Sequence, residues 1–230
     1  LLEVRQRVAD AAKKSGRNPA DIKIIAVTKT VPVELIEQAI QAGITDLGEN
    51  RVQEAIAKIE ILKPKYPHVV WHMIGHLQRN KVKQALANFD LVQSLDSERL
   101  AQEINSQAQV PVSLLLEVNV GGEGSKTGLP VDQAINFLHN ITNFARINVT
   151  GLMTVVPWFT DPEKARPYFE QLRKLSETIK KLDLPAGRHG LPQVEMKFLS
   201  MGMTDDFAVA IEEGANLVRI GRAIFGERGR

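Results

Sequence analysis

The segment Val112-Ser-Leu-Leu-Leu-Glu-Val-Asn-Val120 is the clearest secondary-structure signal in the chain. It is a short apolar run that ends at the glycines beginning with Gly121, and such a run is typical of a buried β-strand. Seven further runs of this kind lie on either side of it and end at polar or Gly-rich turns. They occupy residues 23–28, 44–47, 69–74, 90–94, 148–153, 195–200 and 216–220.

Helical patterns fill the gaps between these strands. Leu35, Ile36, Ala39 and Ile40, for example, fall on one face of a helix. Asp161-Pro162 is expected to open the longest helix, Thr204 to cap another, and residues 1–15 to form an amphipathic helix before the first strand. The strand–helix alternation predicts an α/β protein with a parallel sheet. Eight strands close a barrel, so we expect a single (β/α)8 TIM barrel with an extra N-terminal helix, one domain over residues 1–230.

An open doubly wound sheet is the alternative architecture. It would favour a Gly-x-Gly-x-x-Gly turn after the first strand, whereas this chain reads Thr28-Lys-Thr-Val-Pro32 there.

The composition excludes several classes of function. A net charge of +2 from 29 basic and 27 acidic residues argues against nucleic-acid and membrane partners. The absence of cysteine excludes disulfides, thiolate metal centres and cysteine nucleophiles. With no apolar run of membrane-spanning length, we expect a cytoplasmic protein.

In a barrel, the loops at the carboxyl ends of the strands form the active site. Lys29 directly follows the first strand, where partial desolvation would lower the pKa of its amine and let it add to an aldehyde. Taken alone, an ordinary surface lysine is the simpler interpretation. Ser200-Met-Gly-Met203 and Gly221-Arg222 follow the last two strands, and two glycine loops that lead into helices can direct backbone N–H groups at one phosphate.

Arg219 lies two residues before Gly221, so strand alternation directs it toward the barrel interior or mouth. A buried guanidinium needs a partner, and a structural salt bridge with a rim carboxylate such as Glu117 is the alternative to a functional role. Asn50 lies after the second strand, where it could contact a ligand or act as a helix N-cap. His72 and His76 lie on a strand and a loop, so the metal-binding helix pattern does not apply to them. The segment from Gly121 to Gly128 departs from the nucleotide-binding pattern at Ser125.

Six motifs together resemble the pyridoxal phosphate homeostasis protein family. They run in chain order over nearly all of the sequence: Ala26-Val-Thr-Lys-Thr30, Gly48-Glu-Asn-Arg-Val-Gln-Glu54, Trp71-His-Met-Ile-Gly-His-Leu-Gln-Arg-Asn-Lys81, Gly151-Leu-Met153, Leu199-Ser-Met-Gly-Met-Thr-Asp-Asp206 and Val218-Arg-Ile-Gly-Arg-Ala-Ile-Phe-Gly226. This family is similar to the N-terminal barrel of alanine racemase, the fold-type III group that binds pyridoxal 5′-phosphate (PLP).

The resemblance implies a role for each matching residue. Lys29 would hold PLP as a Schiff base, and Arg219 would face the pyridine nitrogen. Ser200, Gly202, Gly221 and Arg222 would form the phosphate cradle, mainly through backbone N–H groups. Asn50 and Met153 would line the cofactor.

The resemblance also implies a protein without catalytic turnover, involved in vitamin B6 and amino-acid homeostasis. Arginine only donates hydrogen bonds, so it favours an unprotonated pyridine nitrogen and a weaker electron sink. Racemisation in this fold uses a tyrosine from an additional domain, but Tyr66 and Tyr168, the two tyrosines here, fall outside the strand ends. We therefore expect a monomer with a solvent-open cofactor. Three alternatives stay open: a weak racemase or other PLP enzyme, a sugar-phosphate enzyme using Lys29, and regulation through client enzymes or another protein partner.

Overall fold

The computed structural model describes residues 1–123, 127–182 and 194–227. Nine strands and nine α-helices are assigned in this part of the chain. The strands are β1 Lys23–Val27, β2 Asp46–Glu49, β3 Val70–Met73, β4 Leu91–Leu95, β5 Val112–Asn119, β6 Leu129–Pro130, β7 Ile147–Met153, β8 Val194–Ser200 and β9 Leu217–Ile220. The helices are α1 Leu2–Lys14, α2 Val33–Gln41, α3 Val52–Leu62, α4 Val82–Asn88, α5 Glu98–Gln107, α6 Ala134–Ile141, α7 Arg166–Lys180, α8 Phe207–Glu212 and α9 Arg222–Phe225.

All strand pairings are parallel, and eight of the strands close on themselves. The order is β4-β3-β2-β1-β9-β8-β7-β5, and β4 pairs with β5 to complete the ring. This pairing confirms the (β/α)8 barrel, and the open doubly wound alternative is wrong. The predicted extra helix at the N-terminus is also present as α1.

Two local predictions need correction. The second strand was expected at residues 44–47 but lies at Asp46–Glu49, where it pairs with both β1 and β3. The helix expected from Thr204 begins at Phe207, because the Asp206 carboxylate accepts a hydrogen bond from the Met203 N–H (2.6 Å) and closes a turn first. The short strand β6, which pairs with the end of β5, was not predicted.

Side-chain alternation divides the strand residues between two cores. Outward-facing residues pack under the amphipathic helices, while a small inner cluster fills the middle of the barrel. That cluster contains Ile25, Leu91, Leu115, Met153 and Leu217. The inward residues nearer the carboxyl ends are largely polar, so the barrel interior changes character toward its mouth.

The helices in the described residues are too short or too polar to cross a membrane. Residues 124–126, which include Ser125, residues 183–193 and residues 228–230 lie outside the described residues.

Candidate functional site

Lys29 lies in a tightly bonded turn just beyond the carboxyl end of β1. Its side chain is partly buried. The preceding Thr28 is fully buried and donates its hydroxyl to Glu49 Oε1 (2.7 Å). The following Thr30 has φ of +59°, a left-handed conformation that is uncommon for a β-branched residue. Such strained backbone persists only where the surroundings fix it, and it is concentrated at functional sites.

The group that fixes this turn is Lys58, on helix α3. Its ammonium donates to the Thr28 carbonyl oxygen (2.6 Å), to Glu49 Oε1 (2.7 Å) and to Glu54 Oε1 (2.6 Å). Glu54 also accepts the N–H of Thr30. The Lys29 turn is therefore held on both sides by one buried cation and its carboxylates.

The two carboxylates of this cluster have opposite pKa shifts. Burial raises the pKa of Glu49 above its usual value, although Lys58 and Thr28 oppose this. Burial also acts to raise the pKa of Glu54, but the hydrogen bonds from Lys58 and from the Thr30 backbone outweigh it and lower the pKa overall. Sequence patterns do not predict this cluster, because a lysine on an amphipathic helix ordinarily lies on the solvent face.

Arg219 has the inward orientation that alternation predicted. It is only 4% exposed, and its guanidinium donates to Ser200 Oγ and to the Thr154 carbonyl oxygen, each at 2.6 Å. Burial lowers the pKa of Arg219 to about 10, opposed by the charges of Asp206 and Glu117, so it stays positively charged at neutral pH.

The salt bridge with Glu117 proposed as an alternative does not form. Glu117 Oε1 instead accepts the hydroxyl of Thr127 (2.5 Å), and Glu117 Oε2 has no hydrogen-bond partner within the described residues. Burial raises the pKa of Glu117, partly offset by the Thr127 hydrogen bond. Among the described residues, the hydrogen-bond partners of Arg219 are neutral oxygens, and a guanidinium with five N–H groups keeps donors for a further acceptor.

The glycine loops after β8 and β9 lie side by side at the same end of the barrel. Gly202 has φ of +91°, and a Cβ there would lie 2.6 Å from Ala210 Cβ and 2.9 Å from Phe207 Cα. Gly221 is the N-cap of α9, whose first N–H groups have no intrahelical acceptor. An ion pair between Arg222 Nη2 and Asp205 Oδ2 (2.5 Å) joins the two loops.

Ser200 contributes to this end of the barrel differently from its neighbours. Its side chain is fully buried, and its hydroxyl donates to Gln93 Oε1 (2.6 Å) while accepting from Arg219. The Oγ atom is therefore committed to the barrel interior. Any contact with a phosphate in this loop would have to come from backbone groups around it.

Asn50 and Met153 border the mouth on other strands. Helix α3 begins at Val52 with Arg51 at its N-cap position, so the N-cap interpretation of Asn50 is wrong. Its Oδ1 is buried without a hydrogen-bond partner in the described part of the chain. Asn50 also borders a cleft of about 380 Å³ that includes His76, Gln78 and Lys81. Met153 is the last residue of β7, where it is buried in the inner cluster and in register with Glu117 and Ser200.

The histidines in this region are hydrogen-bonded to carboxylates. His72 bonds to Asp46 (2.9 Å) and His76 to Asp96 (3.0 Å). Within residues 1–123, 127–182 and 194–227, no three His, Asp or Glu side chains converge in a way that could hold a metal ion.

Comparisons with known proteins show which family and which solved structures the chain resembles. The family described as "Alanine racemase, N-terminal domain" matches residues 2–229. A pyridoxal phosphate homeostasis protein from Aquifex aeolicus is 40% identical over 231 residues, which cover 99% of this chain and 96% of that protein.

Two solved structures cover nearly the whole chain. A protein from Bifidobacterium adolescentis has a TM-score of 0.89 at 36% identity, over 97% of this chain and 92% of that one. PipY from Synechococcus elongatus, solved with PLP bound, has a TM-score of 0.79 at 30% identity, over 95% of this chain and 100% of that one.

Proposed function

The chain belongs to the pyridoxal phosphate homeostasis protein family, and we propose that it binds PLP at the barrel mouth, on Lys29, without catalytic turnover. The observation that carries this proposal is the buried, positively charged Arg219, whose hydrogen bonds go to neutral oxygens. It lies at the end of the barrel where Lys29 and the two glycine loops also meet. A buried cation without an acidic hydrogen-bond partner is costly, and an acceptor on a bound cofactor would offset part of that cost.

The residues present fit the cofactor. PLP supplies an aldehyde that reacts with amines and a pyridine ring that withdraws electrons. We propose that Lys29 Nζ anchors the aldehyde as a Schiff base and that Arg219 donates to the ring nitrogen. Gly202 supports this assignment because a Cβ would fill the turn, and Asn50 supports it through its buried, unpartnered Oδ1. The complete proposed set is Lys29, Asn50, Met153, Ser200, Gly202, Arg219, Gly221 and Arg222.

The absence of turnover is proposed from the chemistry of Arg219. Catalysis by PLP depends on electron withdrawal by the ring, which a protonated ring nitrogen strengthens. Arginine stays charged and only donates. It therefore favours the unprotonated nitrogen and weakens the electron sink. The named relatives are homeostasis proteins, and we propose the same role in vitamin B6 and amino-acid balance here.

Several broader features are part of the same proposal. Residues 1–230 would act as one PLP-binding domain, monomeric and cytoplasmic. PLP-dependent client enzymes, or a regulatory protein, would be the macromolecular partners. The near-balance of basic and acidic residues supports the proposal that nucleic acid is not among them.

An absorption spectrum of the purified protein, followed by borohydride reduction and peptide mass mapping, tests the central claim. We expect a yellow protein with the pyridoxyl group trapped on Lys29. A colourless protein that stays unmodified after soaking in PLP would contradict the proposal and favour a sugar-phosphate enzyme instead.

A second assay separates a carrier from a weak racemase, the alternative that the alanine racemase barrel favours. The PLP-loaded protein is incubated with single enantiomers of amino acids, and free PLP at equal concentration is the control. We expect conversion no faster than with free PLP. Clearly faster conversion would establish an enzyme.

A further inference from the structure

A continuous chain of buried hydrogen bonds runs through the barrel from Arg219 to Asp46. Arg219 Nη1 lies 2.6 Å from Ser200 Oγ, and Ser200 Oγ lies 2.6 Å from Gln93 Oε1. Gln93 Nε2 lies 3.0 Å from His72 Nδ1, and His72 Nε2 lies 2.9 Å from Asp46 Oδ1. All five side chains are buried, so the chain is shielded from competing water.

The five residues come from five different strands. Arg219 and Ser200 lie on the neighbours β9 and β8, while Gln93, His72 and Asp46 lie on β4, β3 and β2. Strands β8 and β4 are not adjacent in the sheet. The Ser200–Gln93 bond therefore crosses the inside of the barrel and connects two strands that do not pair with each other in the sheet.

The hydrogen bonds of this series all run in one direction: starting at the Arg219 cation, each residue donates to the next. Arg219 only donates hydrogen bonds, so Ser200 Oγ accepts from it and donates its own hydroxyl hydrogen to Gln93 Oε1. The Gln93 amide then presents its N–H to His72 Nδ1, which must accept. His72 is thereby held as the neutral tautomer with the proton on Nε2, which donates to Asp46.

Asp46 completes the chain as a carboxylate. Burial by itself raises the pKa of Asp46, but hydrogen bonds from His72 and Thr45, together with nearby charges, lower the pKa overall. Lys23 Nζ lies 3.5 Å from the same Oδ1 atom. A cation at the mouth and a carboxylate toward the other end of the barrel therefore set the polarity of every bond between them.

An apolar interior would fill this barrel at a lower cost in free energy. Buried polar groups cost free energy unless fully bonded, and apolar replacements of similar volume are often neutral or stabilising. The neighbouring residues in the barrel interior are apolar and include Ile25, Leu91 and Leu217. The polar chain begins at the guanidinium that contacts the cofactor in the proposed function, and it fixes one terminal nitrogen of that group.

We propose that Gln93 and His72 are positioning residues that act through Ser200 to hold the Arg219 guanidinium toward the PLP ring. This inference rests on the proposed function for its final step. The positioning of Arg219 itself is a property of the protein without cofactor and can be measured separately.

The test compares Gln93→Met with Gln93→Glu. Methionine fills a similar volume but removes both hydrogen bonds of residue 93. Glutamate keeps an acceptor for Ser200 Oγ, so the hydrogen bond through which residue 93 reaches Arg219 is retained. Ser94→Ala is the matched control, because Ser94 is buried on the same strand and its hydroxyl has no partner among the described residues.

The first readout uses the protein without PLP. The ¹⁵N-edited NMR signal of the Arg219 Nε–H, assigned with Arg219→Lys, should shift and exchange faster with solvent in Gln93→Met. It should return toward the wild-type behaviour in Gln93→Glu and stay unchanged in Ser94→Ala. An Arg219 signal that Gln93→Met leaves unmoved would overturn the proposal whether or not the protein binds PLP.

The second readout uses the PLP-loaded protein. In Gln93→Met we expect an altered absorption band, an altered pH profile of that band, and PLP binding weakened about tenfold. Gln93→Glu should recover most of the affinity. A spectrum and affinity equal to those of Ser94→Ala would overturn the positioning role. Failure of the wild-type protein to bind PLP would instead refute the proposed function, and the Arg219 signal would then decide the positioning claim alone.

Discussion

On the β1–β2 side of the barrel mouth, buried charges hold the turn that carries Lys29. On the β8–β9 side, the buried Arg219 lies within β9, and the loops that follow the two strands contain glycines and an ion pair that is about half exposed. On the first side, Lys58 joins Glu49, Glu54 and the Thr28 carbonyl around the turn that carries Lys29. On the second side, Gly202 has a left-handed backbone and Gly221 precedes the first turn of α9, and the half-exposed ion pair joins Arg222 to Asp205.

The two sides of the barrel mouth are suited to two different tasks in binding one cofactor. A covalent anchor needs a fixed side chain, and a buried network fixes the backbone beneath it. A phosphate can be held by backbone N–H groups at glycine loops and helix starts, which need space rather than charge. Substitutions on the two sides should therefore fail in different ways.

Lys29→Ala separates the two sides most completely. We expect the covalent PLP adduct to disappear, since no amine remains at this position, while some PLP stays bound through the phosphate loops. Borohydride trapping with mass mapping measures the adduct, and equilibrium dialysis measures the remaining PLP. Lys63→Ala, on an exposed lysine, is the control. Complete loss of PLP would show that the glycine side contributes little by itself.

Lys58→Met should have the largest effect on stability. Methionine replaces the apolar part of the lysine side chain as far as Cε but leaves the buried Glu49 without its cation, and breaking a buried pair in this way costs about 3–5 kcal/mol. Urea unfolding measures the change, with the exposed Lys63→Met as the control. A loss below about 1 kcal/mol would mean that Glu49 is readily neutralised or rehydrated, and that the charged side is less tightly fixed than its contacts indicate.

Gly202→Ala tests the β8–β9 side, where there is no room for a Cβ atom beside helix α8. The left-handed backbone costs about 1 kcal/mol for a residue with a Cβ, and the overlap with α8 adds about 2 kcal/mol. Gly16→Ala is the matched control, since Gly16 has φ of +69° with nothing near the added carbon. We expect about 3 kcal/mol for Gly202→Ala against about 1 kcal/mol for Gly16→Ala, by urea unfolding. Equal losses would mean that α8 moves aside freely.

The sequence predicted more of the glycine side than of the charged side. Gly202, Gly221 and the inward direction of Arg219 follow from strand order and alternation, which are local properties. Lys58 was missed because helical periodicity assigns a lysine to the surface, and its burial depends on carboxylates on β2 and in the first turn of α3. The Ser200 hydroxyl was also unpredictable, because Gln93 lies 107 residues away across the barrel.

The fold itself was predictable because each strand carries its own signal. Eight apolar runs separated by helices are sufficient to predict a parallel barrel. The errors fall at boundaries. Strand β2 is shifted because its inward positions include Asp46 and Gly48, which weaken an apolar pattern. Strand β6 has two residues and includes Pro130, so its pairing with β5 arises from tertiary contact and not from local preference.

The pH dependence of stability should distinguish the two carboxylates that contact Lys58, Glu49 and Glu54. The folded-state pKa of Glu49 is raised, so its contribution to stability falls as pH rises from its unfolded value, about 4.3, through the folded pKa. The folded-state pKa of Glu54 is lowered, so its contribution is present above about pH 4.3 and is lost as pH falls through the folded pKa. Glu49→Gln and Glu54→Gln should remove these opposite slopes, each within about 2 kcal/mol.

Urea unfolding of both glutamine variants between about pH 3 and pH 7 measures these slopes. The stability of Glu49→Gln relative to wild type should rise with pH above about 4.3. That of Glu54→Gln should fall as pH rises through the acidic range. Slopes of the same sign would show that the Lys58 ammonium is shared differently between the two carboxylates.

Arg222→Gln should have the smallest effect and gives the sharpest test of the glycine side. An exposed ion pair contributes about 0–1 kcal/mol, so the variant should unfold nearly like wild type. If backbone N–H groups hold the phosphate, PLP affinity should change less than about threefold, and its salt dependence should stay the same. Asp205→Asn is the control, because it breaks the same pair but retains the arginine charge. A loss of more than about tenfold in Arg222→Gln alone, with a weaker salt dependence, would assign the phosphate to the guanidinium. The two sides of the mouth would then both rely on charge, and the contrast between them would lie only in burial.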